Sequence, residues 1–145
     1  GACEEVYSSD PDIYWNLGEL RGGTPALPLD SERYLAFFHS SKPMQSVHSQ
    51  GCTMPHYFFG AYTFSSKPPF HILSISPEPI IGQGFYSGPD YKPYWHPVRV
   101  VFPCGFLMDE EFVSVFFGKQ DHECWVVKLH KAKLLNSLRT LQNYR

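Results

Sequence analysis

The sequence predicts an all-β fold in which antiparallel strands build repeated sheets, followed by a short helix near the end of the chain. Short runs of aromatic and β-branched residues alternate with Pro, Gly and Ser clusters along most of the 145 residues. A segment near the start of the chain also recurs later. Self-similarity of this kind indicates a repeat architecture, in which each unit buries its apolar face against a neighbour.

The recurring segment contains an acidic turn and a Phe-Phe pair. Residues 25–40 read PALPLDSERYLAFFHS, and residues 103–119 read PCGFLMDEEFVSVFFGK. When the Phe-Phe pairs are aligned, Asp30 falls on Asp109, and the glutamates two residues later also coincide. Each copy therefore predicts a strand, an acidic turn and a second strand that ends in Phe-Phe. The polar loops that follow should lie on one face of the molecule.

The order of the strands favours one complete sheet and part of another. Strands are expected at 24–29, 33–39, 56–64, 71–76, 98–107, 111–118 and 123–129. The segments up to residue 76 make a four-stranded antiparallel sheet, and the later ones begin the next. Radial repetition of such sheets is the architecture of a β-propeller. A β-sandwich would use similar strands but would not explain the internal repeat.

The predicted parts follow one another along the chain as a connecting segment over 1–20, a first blade over 21–76, a loop over 77–97, a partial second blade over 98–129 and a helix over 130–145. The loop is rich in Pro and Gly, but its aromatic residues (Phe85, Tyr86, Tyr91, Tyr94 and Trp95) argue that it packs.

The helix carries leucines along one stripe between 131 and 141. It is expected to dock against the sheet, and partner binding is the alternative.

Composition excludes several classes of partner and site. The net charge of −2 comes without a clustered basic face, so nucleic acid is not an expected partner. No apolar run approaches the roughly 20 residues of a membrane helix, so a membrane is not expected either, and the first residues do not read as a signal peptide. Neither a C-x-x-C pair nor another metal motif occurs. Cys104 and Cys124 fall in predicted strands and are expected to be buried. The sequence does not decide whether Cys3 and Cys52 form a disulfide.

Short motifs carry a resemblance to a known family. They occur in one order along the chain at 21–27 (RGGTPAL), 38–40 (FHS), 57–62 (YFFGAY), 76–81 (SPEPII), 100–105 (VVFPCG) and 116–121 (FFGKQD). In this order and spacing they resemble the C-terminal part of the β-mannoside phosphorylase and hydrolase family, to which propeller-fold β-mannosyltransferases are related. The resemblance implies a five-bladed β-propeller, of which this chain would supply about two blades.

The resemblance also implies a binding site at the strand ends. His39 and Tyr57 match family residues that bind phosphate, and Asp121 matches an acidic residue that hydrogen-bonds sugar hydroxyls. A protonated histidine can donate from either ring nitrogen, which suits an oxyanion. Arg21, before the double glycine, is a candidate anion contact by its position, and Trp15 is a candidate platform for stacking on a sugar ring. We expect no catalytic residue, no cofactor and no metal in this chain.

Some residues depart from the family's pattern. No glycine follows His39, and Lys119 and Gln120 replace two small residues before Asp121, where their bulk is expected to intrude on the sugar site. The family's general acid lies in N-terminal blades, and the sequence Asp10-Pro11-Asp12 lacks the arginine of the matching motif. The sequence therefore indicates that the chain is part of a longer propeller. This chain is expected to be inactive by itself.

Three function classes remain open at this point. The first is the C-terminal part of an enzyme on β-mannosides or related glycans: a glycoside phosphorylase, a hydrolase or a glycosyltransferase. It would bind carbohydrate and inorganic phosphate or a sugar phosphate, and a missing part would supply the acid or base. The second is a non-catalytic carbohydrate-binding module, with Tyr94 and Trp95 as further stacking platforms. The third is a structural or assembly protein, whose incomplete blades pair with other blades or another chain.

Overall fold

The computed structural model describes residues 2, 5–7, 13–88 and 99–141. Within these residues the chain forms two antiparallel β-sheets and one short α-helix, as the strand pattern predicts. The strands are β1 (Arg21–Gly22), β2 (Leu27–Pro28), β3 (Arg33–Met44), β4 (Met54–Ser65), β5 (Ile72–Ile75), β6 (Val101–Met108), β7 (Phe112–Lys119), β8 (Glu123–His130) and β9 (Arg139–Thr140). A 3₁₀ turn, Val47–Ser49, joins β3 to β4, and helix α1, Lys131–Ser137, follows β8.

Sheet A is built around the long hairpin of β3 and β4. These strands pair without a break from Arg33 opposite Ser65 to Met44 opposite Met54. Both short strands before the hairpin pair with β3, and β5 and then β9 extend the sheet beyond β4. The predicted strand 24–29 is interrupted, yet Thr24 remains tied to β3 because its backbone N–H donates to the Phe37 carbonyl at 3.0 Å.

Sheet B is a regular three-stranded meander in the order β6-β7-β8. β6 and β7 pair from Val101 opposite Lys119 to Met108 opposite Val113, with a bulge next to Pro103. Since proline has no N–H to donate, a bulge at this position preserves the pairing on either side. β7 and β8 pair along their whole length.

The two acidic turns of the repeat adopt the same hydrogen-bonding pattern. Asp30 Oδ1 accepts the backbone N–H of Glu32 at 2.9 Å, and Asp109 Oδ1 accepts that of Glu111 at 2.8 Å. Such local bonds make aspartate a preferred turn residue. Because hydrogen bonds favour the ionised form, the pKa of each aspartate is lowered, chiefly by Arg33 at Asp30 and by the backbone N–H of Phe112 at Asp109. The repeat seen in the sequence is thus also a structural repeat.

The sheets pack face to face, and the two copies of the repeat use opposite faces of their equivalent strands in this contact. In sheet A, Leu35 and Phe37 point toward sheet B, and Phe38 points away. In sheet B, Val115 and Phe117 point toward sheet A. Across the core, Phe37, the first phenylalanine of its pair, therefore faces Phe117, the second phenylalanine of the other pair.

Aromatic rings fill the space between the sheets. Phe37 contacts Phe106 with ring centroids 5.1 Å apart, and Phe117 contacts Phe59 at 5.7 Å. Phe85, from the loop after β5, lies 4.6 Å from Phe117. The described part of this loop, up to residue 88, packs on the core, since Phe85 and Tyr86 are buried and the Tyr86 hydroxyl donates to the Tyr57 carbonyl at 2.7 Å. Tyr91, Tyr94 and Trp95 lie outside the described residues.

The C-terminal helix is shorter than predicted. It ends at Ser137, and Arg139–Thr140 pair with β5 as β9. The helix expected over 130–145 is not formed by residues 138–141, because Leu138 takes an extended conformation and the Leu141 N–H donates to the Leu73 carbonyl at 2.9 Å. Residues 142–145 lie outside the described part of the chain. Leu134 is buried in the main core, so docking against the sheets is confirmed.

The cysteines also differ from the expectation. Cys104 and Cys124 lie in strands but are exposed, because their positions place them on the side of sheet B away from sheet A. Cys52 is a free exposed thiol among the described residues, and Cys3, its possible disulfide partner, lies outside them. Among the described residues, helix α1 is too short and too polar to cross a bilayer.

The two phenylalanines of the second copy provide a test of the packing. Phe117 is fully buried, whereas Phe116 is 38% exposed on the opposite face of the strand. Phe117→Ala should lower the free energy of unfolding by about 3–5 kcal/mol through a cavity between the sheets. Phe116→Ala should cost about 1 kcal/mol, since its ring is only partly removed from water. Urea denaturation of both variants measures the difference, and equal losses would contradict the packing.

Candidate functional site

Three of the residues singled out in the sequence lie together on the neighbouring strands β1, β3 and β4 of sheet A. Arg21 in β1 is directly opposite His39 in β3. The rings of His39 and Tyr57 are stacked, with centroids 6.2 Å apart and planes 7° from parallel. Residues from three separate strands thus form one polar cluster, the Arg21–His39–Tyr57 cluster.

The orientation of His39 is fixed by a backbone contact. Its Nδ1 lies within hydrogen-bonding distance of the Gly22 carbonyl oxygen, which can only accept, so Nδ1 carries the proton. Nε2 is then the nitrogen available to a ligand. Burial lowers the pKa of His39 below its usual value, and the charge of Arg21 lowers it further, while the Gly22 contact opposes both. The ring is therefore neutral at pH 7 and becomes cationic only in more acidic solution.

Phe102 also contacts this cluster, although the sequence analysis assigned it no role beyond its place in the motif at 100–105. Its ring lies 4.5 Å from that of His39, and it comes from β6 of the other sheet. Phe102 thereby provides an apolar wall beside the imidazole. This contact arises from the packing of two sheets, and no spacing between residues 39 and 102 predicts it.

Arg21 is exposed and has one neighbouring carboxylate. Its Nη2 is 3.3 Å from Glu19 Oε2, and both side chains are mostly in solvent. Exposed ion pairs of this kind contribute little free energy, so an anionic ligand can compete with Glu19. The guanidinium also offers several N–H donors in a planar fork that matches a phosphate.

Asp121 is separated from this cluster. It occupies the tip of the β7–β8 hairpin, where both Gln120 and Asp121 have positive φ angles, as the tight hairpin requires. Asp121 is exposed, and within the described residues no hydrogen bond or ion pair links it to Arg21, His39 or Tyr57. The structure brings Asp121 to the loop expected for it without bringing it into contact with the other candidates.

The two bulky residues before Asp121 turn inward. Lys119 is 4% exposed, its Nζ lies 4.2 Å from the centroid of the Trp125 ring, and Glu123 Oε1 is 3.6 Å from that Nζ. Gln120 is also buried, and its Nε2 is a buried donor without a partner among the described residues. Their side chains therefore do not extend over the hairpin tip, in contrast to the intrusion expected from their size.

Trp15 is built into the protein rather than presented to solvent. It is 9% exposed, its Nε1 donates to Ser40 Oγ at 2.9 Å, and its ring meets Phe38 edge to face at 5.0 Å. A sugar ring stacks on an exposed aromatic face, which Trp15 does not offer. Its role is to cover the outward face of sheet A.

A second polar cluster lies where β3 ends and β4 begins, next to Tyr57. Ser46 Oγ is 2.7 Å from His56 Nε2, and His56 Nδ1 is 3.0 Å from the Met54 carbonyl. Ser46 Oγ also accepts the His48 N–H and caps the short 3₁₀ turn. These contacts use both ring nitrogens of a buried histidine, so the cluster is a structural cap.

The carboxylates considered in the sequence have other places in the fold, and the described residues contain no metal site. Asp109 forms the turn described above, Glu78 is exposed, and Asp90 lies outside the described residues. No group of three or more His, Cys, Asp and Glu side chains within the described ranges is arranged to hold a metal ion. The Arg21–His39–Tyr57 cluster and Phe102 together combine a guanidinium, an imidazole and two further aromatic rings.

Comparison of the chain with protein-family models, with curated proteins and with solved structures found no match in any of the three.

The lowered pKa of His39 predicts a pH dependence of stability. The unfolded chain binds the His39 proton near pH 6.5, but the folded chain binds it only at lower pH, so stability falls as the pH decreases through this window. In His39→Asn this contribution should disappear. Urea denaturation at pH 7.5 and 5.5 would measure it as the difference between the wild-type chain and the variant. If the free energies of unfolding of the wild-type chain and His39→Asn differed by the same amount at both pH values, the lowered pKa of His39 would be contradicted.

Proposed function

We propose that this chain supplies the phosphate-binding side of a carbohydrate-active β-propeller, which acts on β-mannosides or related glycans. In this proposal the Arg21–His39–Tyr57 cluster binds phosphate or a sugar phosphate, and Asp121 binds sugar hydroxyls. A general acid or base comes from a part of the propeller outside this chain. The observation that carries the proposal is the convergence of Arg21, His39 and Tyr57 from three separate strands.

The chemistry of the cluster suits a phosphate better than a neutral ligand. Arg21 offers paired N–H donors, Tyr57 offers a hydroxyl donor, and His39 presents Nε2 as its free ring nitrogen. A bound phosphate favours the protonated imidazole, which then donates through Nε2 in a charge-assisted hydrogen bond. The affinity for phosphate should accordingly increase as the pH decreases toward 6.

The arrangement of the sheets supports the propeller part of the proposal. Equivalent strands of the two copies turn at the same aspartate and pack in a head-to-tail manner, with unlike faces in contact. Repetition of one such contact around an axis is how propeller blades are arranged. His39 lies within β3, and Asp121 lies in the turn after β7, the equivalent strand of the adjacent sheet, so in a propeller both would lie toward the same side.

Calorimetric titration tests the binding proposal. With inorganic phosphate and mannose 1-phosphate as ligands, His39→Ala should weaken binding roughly tenfold, since it removes a charge-assisted hydrogen bond. Binding of mannose should change less than twofold. His71→Ala is the matched control, because His71 is an exposed histidine just before β5. Equal losses for mannose and mannose 1-phosphate would overturn the role of His39.

The sugar side of the proposal requires a separate measurement. Asp121→Ala should weaken the binding of mannose and mannose 1-phosphate to the same extent, because both ligands carry hydroxyl groups that would donate hydrogen bonds to the carboxylate. Asp121→Asn keeps the size of the side chain and one acceptor, so it should retain part of the affinity. An Asp121→Ala variant with unchanged affinity for both ligands would remove Asp121 from the site.

A further inference from the structure

The free ring nitrogen of His39 can meet only one kind of group when the ring is neutral. Nδ1 carries the proton because it lies against the Gly22 carbonyl oxygen, and the pairing of β1 with β3 holds that carbonyl in place. Within the described part of the chain no hydrogen bond uses Nε2. In the neutral imidazole Nε2 is then an acceptor, so it requires a hydrogen-bond donor on the ligand.

The groups around His39 supply donors. Arg21, from β1, has a guanidinium that donates and cannot accept, and the Tyr57 hydroxyl, from β4, can donate to an anion. Phe102, from β6, carries no titratable group. Among the described residues the charge that acts on His39 is that of Arg21, with which Glu19 is paired. The cluster therefore combines several donors with a single acceptor at neutral pH.

A tetrahedral anion matches this combination when it carries a hydroxyl group. Its unprotonated oxygens accept from Arg21 and Tyr57, and its hydroxyl donates to Nε2 of His39. Inorganic phosphate keeps at least one hydroxyl group throughout the neutral range. Sulfate has the same shape but carries no proton, so one of its oxygens would face the lone pair of Nε2. A sugar phosphate loses its last phosphate proton above a pKa of about 6 and then has the same mismatch.

We propose that the Arg21–His39–Tyr57 cluster selects inorganic hydrogen phosphate at neutral pH, because Nε2 of His39 accepts a hydrogen bond from its hydroxyl group. Sulfate is rejected because it leaves this acceptor without a donor. The inference rests on the proposed binding of phosphate and deepens it, since it names the anion and the atom that distinguishes it from others of the same shape.

The selection should disappear in acidic solution, where His39 becomes cationic. Nε2 then carries a proton and donates to either anion. Burial lowers the pKa of His39, the charge of Arg21 lowers it further, and the Gly22 contact opposes both. The range in which the ring selects by accepting therefore extends below the usual pKa of histidine. As the pH decreases through the pKa of His39, the affinity for sulfate should increase toward that for phosphate.

Calorimetric titration of the full chain with sodium phosphate and sodium sulfate at equal ionic strength tests this inference. At pH 7.5 the wild-type chain should bind phosphate roughly tenfold more tightly than sulfate, and at pH 5 the ratio should fall below about threefold. Titrations at pH 7.5 in two buffers with different heats of ionisation should show more proton uptake with sulfate than with phosphate. Equal affinities at pH 7.5, or a ratio that does not change with pH, would overturn the inference and leave phosphate binding intact.

His39→Lys separates the acceptor from the rest of the site. Lysine only donates, so this variant should bind the two anions with affinities within about twofold of each other at pH 7.5. His71→Lys is the matched control, because it adds the same charge just before β5 and should keep the wild-type ratio. Arg21→Gln should weaken the binding of both anions without changing their ratio.

A folded His39→Lys chain that keeps the wild-type preference for phosphate would also overturn the inference. The pH series of the wild-type chain decides the matter if His39→Lys does not fold. If the wild-type chain bound neither anion at either pH, the proposed function would fail, and this inference would fail with it.

Discussion

The contact between the Phe37 face of sheet A and the Phe117 face of sheet B is the interaction on which the rest of the structure depends. Burial of aromatic and aliphatic side chains is the main favourable term in folding, and here most of it lies between these two sheets. The loop after β5 and helix α1 add Phe85 and Leu134 to the same core. Because this contact fixes the position of β6 against β3, it also brings Phe102 beside His39.

The two sheets contribute different faces of the repeat to this contact. Two copies of one repeat that pack through unlike faces always leave one face of each kind uncovered, whatever the details of the side chains. This protein covers one of them with Trp15, whose indole is held by Ser40, and leaves the other exposed around Phe116 and Val126. The aromatic residue that looked like a ligand platform in the sequence is thus explained by the geometry of the stack.

The candidate site shows how a few polar groups can be positioned by a rigid sheet. The β1–β3 pairing sets Arg21 opposite His39, and the β3–β4 hairpin sets Tyr57 beside it, so none of the three depends on a long loop. Burial keeps the imidazole neutral near pH 7, which leaves Arg21 as the cationic group of the cluster in that range. Charge on His39 would then appear together with an anionic ligand, and this coupling distinguishes a phosphate site from a histidine buried for packing alone.

The sequence by itself determined the strands, the acidic turns and the repeat, because strand alternation and the hydrogen bonds of aspartate are local properties of the chain. It also identified Arg21, His39 and Tyr57 as candidates. Only the tertiary structure decided which phenylalanine of each pair faces the other sheet, and that Trp15 and Lys119 are buried. It also decided that Cys104 and Cys124 face outward and that residues 139–140 join sheet A. These outcomes depend on which face of each sheet meets the other, and a one-residue alternation along a strand does not reveal which face that is.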